Sequence, residues 1–191
     1  SIREAMVRAL TREEQDRVYT RWSDAYPPAH ELALKLHEIQ ARHGYTATRS
    51  VLSDKHALRL FGSACCVGGR EGWFRGNWMW WLRGALDRVL FGVGSSRGRR
   101  CYSSLEVNDV VDFFRVEEVD PGRRLLLRAE MKLPGKAWLD FTIQDLGENR
   151  RLSVTVHFFT SSWLGRLYWY VFLPFHHFIF QGLVEQIASR G

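Results

Sequence analysis

Apolar side chains fall on every second position through much of the second half of this chain. In "LLLRAEMKL" Leu125, Leu127, Ala129, Met131 and Leu133 oppose Arg128, Glu130 and Lys132. In "AWLDFTIQ" Ala137, Leu139, Phe141 and Ile143 oppose Asp140, Thr142 and Gln144. In "LSVTVHF" Leu152, Val154, Val156 and Phe158 oppose Ser153, Thr155 and His157. A period of two is that of a strand with one buried face. "VVDFFRVEEV", ahead of these, is strand-like with a looser alternation. Asp120-Pro121-Gly122, Pro134-Gly135 and Gly147-Glu148-Asn149 are hairpin-short connectors. Together they predict a four-stranded antiparallel meander with one dry face and one wet face.

Elsewhere the period is mostly helical. Residues 1–44 read as a polar helical arm broken at Pro27-Pro28, with Leu32, Leu34, Leu36 and Ile39 in its second part. The arm has little core of its own, so it packs on the rest or links it to something upstream. "YTATRSVLS" is a short strand in which Tyr45, Ala47, Arg49 and Val51 share a face. Ser53-Asp54 then offers an N-cap to a helix carrying Ala57, Leu58, Leu60 and Phe61. A second helix is predicted over 77–91, with Trp78, Trp81, Leu82, Ala85, Leu86, Val89 and Leu90 on its apolar face. Trp80 lies off that face and, with Trp73 and Phe74, is surplus aromatic surface for a cavity mouth or a protein–protein patch. Residues 162–190 form a final helix, apolar nearly all round between Leu167 and Phe180. A membrane span needs about 20 apolar residues, and this run is interrupted by Pro174 and His176-His177. It reads as a core helix on the dry face of the sheet, and membrane insertion is not expected.

Composition narrows the class. The chain has 191 residues, 46% hydrophobic and 25% charged, values of a globular domain able to bury a core without metals or disulfides. The division expected is an arm over 1–44 and a single domain over 45–191. A net charge of +6 comes from arginine clusters. Arg123-Arg124 and Arg150-Arg151 fall on turns beside Asp120, Asp145 and Glu148, so they read as solvated loops rather than a nucleic-acid surface. Three cysteines, two of them adjacent, fit reduced thiols and a cytoplasmic setting. The charged opening shows no secretory leader pattern, and the missing initiator Met fits either a segment of a longer protein or a trimmed chain.

Chemistry is harder to find. "GVGSSRG" follows a helix instead of a strand and has the wrong spacing for a dinucleotide loop, so no cofactor site and no NAD(P) binding are expected. His176 and His177 point about 100° apart on a helix, which argues against a shared metal and for polar tips at the helix edge. Glu130, Asp112 and Asp140 are the carboxylates of interest for acid–base work, and Glu130 is the candidate pocket acid. All three are expected in strands, on the wet face, as cross-strand ion pairs.

A strand, two helices, an antiparallel meander and a long last helix make the α+β helix-grip arrangement, with a cavity between sheet and helix. "GGREGWFRGNWMWWLRGALDRVLFGVGSSRGRR", "DVVDFFRVEEVDPGRRLLLRAEMKLPGKAWLDF" and "LGRLYWYVFLPFHHFIFQGL" resemble a bacterial family of unknown function. That family occurs C-terminal to NAD(P)-binding epimerase- or reductase-like domains and is similar to the START-like, polyketide-cyclase-type (SRPBCC) superfamily. The resemblance implies a fold and a cavity but no reaction. Phe141, Val156 and Phe158 are the expected floor, Tyr168, Phe172 and Phe175 the roof, and Trp78 and Trp81 the closed end. The expected partner is an apolar small molecule. A cyclase-, dehydratase- or isomerase-type enzyme using the same cavity, or an interaction domain for a reductase-like partner, remains open.

Overall fold

The computed structural model describes residues 35–36, 44–68, 73, 104–131 and 133–191. Trp78, Trp80 and Trp81, the glycine-rich "GVGSSRG" stretch and most of the arm lie outside the described residues. The elements are β1 (Tyr45–Ser53), α1 (Ala57–Cys65), β2 (Val110–Val111), β3 (Phe114–Asp120), β4 (Arg124–Ala129), β5 (Lys136–Asp145), β6 (Arg150–Phe159) and α2 (Trp163–Arg190).

The strands form one six-stranded sheet in the order β1-β6-β5-β4-β3-β2, and every neighbouring pair is antiparallel. This is the expected meander, extended at one edge by β1, which closes on β6 from Tyr45↔Phe158 to Ser53↔Arg150. At the β3–β4 turn the Arg123 N–H donates to the Asp120 carbonyl (2.9 Å), with Pro121 second and Gly122 third at φ 77°. That positive φ is the signature of a type II turn, which asks for glycine there.

Register fixes which side chains share a face. Leu127 pairs with Leu139, Leu139 with Val156, and Phe141 with Val154. These residues, with Leu125, Ile143, Leu152 and Phe158, form one core with Trp169, Phe180, Leu183, Val184 and Ile187 of α2. The final helix therefore covers the face that the alternation marked as dry. Each fully buried large apolar side chain contributes about 1.5–3 kcal/mol, so this contact dominates the stability of the domain.

Several expectations are corrected. "VVDFFRVEEV" is not one strand: Asp112 takes φ 53°, and the chain breaks there into β2 and β3. The N-cap of α1 is His56, whose side chain accepts from the Leu58 N–H, while Ser53 accepts from Lys55 N–H just before it. Trp73 is not surplus surface. It is buried, lies 6.2 Å from the Phe113 ring in a stacked arrangement, and donates from Nε1 to Asp112 (2.8 Å).

The outer face is not simply wet either. A bulge between Val116 and Glu118 places Glu117 where it accepts from Trp138 Nε1 and from the Leu36 N–H, both at 2.8 Å. Leu36, Leu126 and Trp138 are buried together there, with Phe159 packed against them. Part of the arm thus covers the outer face.

The start of α2 is seated by contact. A methyl group on Gly165 would collide with the Pro134 carbonyl oxygen and the Thr160 side chain, whereas one on Gly182 would meet nothing within 4 Å. Gly165→Ala should therefore destabilise by about 1–3 kcal/mol. Gly182→Ala should stabilise by roughly 0.5–1 kcal/mol through helix propensity. Urea denaturation of both variants beside the parent checks the pair, and an equal response would refute the seating.

Candidate functional site

Along α2 the pattern of burial divides the helix into three. Gly165 and Trp169 are buried near its start, and Phe180, Leu183, Val184 and Ile187 near its end. Between them, from 170 to 179, no residue is fully buried. The helix is buried near both ends, whereas its middle, where Pro174 lies, is half-buried or exposed. On the sheet Met131, Leu133 and Ala137 are only partly buried against the core.

Aromatic rings line this stretch. The Trp169 ring stacks on Tyr45 (5.5 Å) and on Phe158 (5.8 Å). Phe158 also meets Tyr168 (5.8 Å), Tyr168 meets Phe172 (4.5 Å), and Phe172 meets Phe175 (6.0 Å). The expected floor and roof are thus joined through Phe158 and Tyr168. Phe141 is buried in the core between β4 and β6, and Val156 lies beside Leu139 on the same face. Phe175 is 48% exposed. Trp78 and Trp81 lie outside the described residues.

A polar side chain that was not among the expected lining enters this apolar region. His176 points inward, its ring 5.3 Å from Trp169 and 5.4 Å from Phe180. Burial lowers its pKa to about 4, so the imidazole is neutral near pH 7, and its Nδ1 has no hydrogen-bond partner. Of the histidine pair only His177 is an exposed edge residue, and it touches Arg49 from the inward register of β1. The signal for His176 was present in the spacing: it shares a helix face with Trp169, Phe180, Leu183 and Ile187.

The carboxylates lie elsewhere. Glu130 is buried just beyond β4, on the outer face, where Arg115 Nε donates to it at 2.6 Å and Arg128 approaches to 3.6 Å. Asp140 accepts two bonds from Arg124, 3.0 Å from Nε and 2.8 Å from Nη2, with His157 Nε2 at 3.7 Å. Burial raises the pKa of Asp140, but the nearness of His157 and the paired bonds from Arg124 outweigh it and hold the carboxyl below its usual value. Arg124 is raised by its bond to Asp140, against the opposing effect of burial. The expected ion pairs are present, yet Glu130 and Asp140 are buried rather than solvated, and Asp112 sits on a turn holding Trp73. None of these acids faces α2. Among the described residues no group of His, Cys, Asp and Glu side chains is arranged to hold a metal ion, and no helix is long and apolar enough to cross a membrane.

Residues 39–183 match the family described as "Protein of unknown function (DUF2867)". The chain belongs to that family. A search of curated proteins returns no match. Among solved structures it is similar to Mll3558 from Rhizobium loti, at 14% identity and a TM-score of 0.43, covering 78% of this chain and 98% of that one. It is also similar to DynU16, a protein in the dynemicin biosynthetic locus, at 15% identity and 0.44, covering 76% of this chain and 49% of that one. For Ara h 8.0201 the values are 11% and 0.41, covering 77% and 99%.

His176 gives the site a measurable signature. Its folded pKa lies below the value of about 6.5 in an unfolded chain, so unfolding takes up a proton between the two. Stability should therefore fall as pH drops from about 6.5 toward 4, by up to about 3 kcal/mol from this group. His176→Leu should flatten that part of the profile, measured as thermal midpoint against pH for variant and parent. An unchanged slope would show that the imidazole is not held neutral by burial.

Proposed function

We propose that this domain binds an apolar or aromatic small molecule between the middle of α2 and the inner face of the sheet. The observation that carries the reading is the burial pattern of α2, buried near both ends and without a fully buried residue from 170 to 179. Partly buried Met131, Leu133, Ala137, Tyr168 and Ile179 border the same region. Affinity would come from apolar burial, with Tyr168 and neutral His176 as the polar groups that orient the ligand. The placement of Val156, Phe158, Tyr168 and Phe172 supports this, and Phe175 would guard the rim.

An enzyme of the cyclase, dehydratase or isomerase type would use the same space, with His176 as its base. A pKa of about 4 makes that imidazole a weak base at neutral pH. Glu130, paired with arginines on the outer face, supplies no acid there. Binding without turnover is therefore the better reading.

Val156→Trp should fill the space from the sheet side while leaving the far-ultraviolet circular dichroism and thermal midpoint near those of the parent. Titration with 1-anilinonaphthalene-8-sulfonate should give saturable fluorescence with the parent and at least about tenfold weaker binding with the variant, the order expected for displacing a buried ring. Equal binding by both proteins, or none by the parent, would overturn the proposal.

A further inference from the structure

Arg49 is the anomaly of the inner face. It stands on β1 between Ala47 and Val51, opposite Val154, at a register position otherwise given to apolar side chains. Its guanidinium donates to the Thr48 carbonyl (2.7 Å) and to Nδ1 of His177, and its Nε is buried with no partner. Among the described residues no carboxylate reaches it. The other partly buried arginines among the described residues all have one. Arg115 and Arg128 have Glu130, Arg124 has Asp140 and Glu118, and Arg150 has Asp145.

We propose that Arg49 anchors an oxyanion, so that the ligand is an amphipathic acid with its apolar body under α2 and its carboxylate or phosphate end at the β1 rim. This rests on the binding site proposed above and adds the chemical class of its ligand. The setting supports it in three ways. The buried Nε of Arg49 still has a proton to donate and the half-buried guanidinium meets no carboxylate among the described residues, so an anion arriving from solution would supply both acceptor and counter-charge. A guanidinium has no acceptor atom, so His177 accepts from Arg49 at Nδ1 and carries its own proton on Nε2. His177 therefore orients Arg49 without neutralising it.

Location completes the argument. His177 belongs to the 170–179 stretch of α2 and faces β1, while its neighbour His176 faces the buried rings of Trp169 and Phe180. Arg49 thus stands at the edge of the space the apolar body would occupy. Tyr45 and Tyr170, whose rings meet at 5.9 Å, lie on the same flank. From Trp163 to Val184 the helix contains no Asp or Glu, so nothing on it repels an approaching anion.

The test compares three probes by calorimetry: sodium dodecanoate below its micelle concentration, dodecanol, and inorganic phosphate alone. The parent should bind dodecanoate at least about tenfold more tightly than dodecanol, the increment expected of charge-assisted hydrogen bonds. Arg49→Gln should erase that preference while leaving dodecanol affinity unchanged, and Arg49→Lys should restore part of it. The preference in the parent needs no variant, so it stands as a test even if Arg49→Gln fails to fold. Equal affinity for dodecanoate and dodecanol would overturn this inference and leave the apolar site intact. Phosphate binding that depends on Arg49, with no gain from an alkyl chain, would overturn the amphipathic assignment. Failure of both alkyl probes and the fluorescent probe would overturn the site itself.

Discussion

The close seating of α2 at its two ends, on Pro134 and Thr160 at one and on α1 at the other, is the contact on which the rest depends. At Gly165 the helix backbone comes so near the Pro134 carbonyl and Thr160 that no side chain fits, and Thr160 Oγ1 itself donates to that carbonyl at 2.7 Å. At the far end Gly191 lies against the backbone of Leu60 in α1. Between the seated ends of this 28-residue helix no residue from 170 to 179 is fully buried. Pro174 falls in that stretch, where its missing N–H removes the ordinary intrahelical donor to the Tyr170 carbonyl. The apolar character of this stretch is thus put to a different use from that of Leu183 and Ile187, which close the core.

The outer face solves an opposite problem. Trp138 and Leu126 need cover, and they share a surface with Arg115, Arg124, Arg128, Glu118, Glu130 and Asp140. Glu117 joins the two chemistries by holding the Trp138 indole and the Leu36 backbone with one carboxylate. Burial of charge there is offset by paired donors, as the lowered pKa of Asp140 reflects. Charge on this side is spent on structure, which leaves Arg49, on the other side, as the exception.

Much of this fold is legible in the residues because its signals are local. Alternation in β4, β5 and β6 and the Pro-Gly turn at 121–122 depend on near neighbours, and the final helix depends on its own composition. What escaped reading depends on distant partners. The cover on Trp138 comes through Glu117 from Leu36, 81 residues away in sequence. The break at Asp112 is a single backbone angle, invisible to an alternation of apolar residues. His176 was within reach of helical spacing, but treating it together with His177 hid that adjacent helix positions face different surroundings. Arg49 could be placed on the inner face from its register with Tyr45, Ala47 and Val51. That no acid among the described residues meets it is a fact of three dimensions.

Strand β5 has a consequence for how the chain finds this structure. Its odd residues Leu139, Phe141 and Ile143 belong to the apolar core, and its even residues Trp138 and Asp140 to the polar outer network. Both faces are chemically specified, so neither tolerates the other's side chains. A slip of one residue against β4 or β6 would drive Asp140 into the core and set Leu139 before Arg124. Mispaired hairpins are therefore heavily penalised on two sides at once. A sheet buried on a single face would resist that error with only half the discrimination.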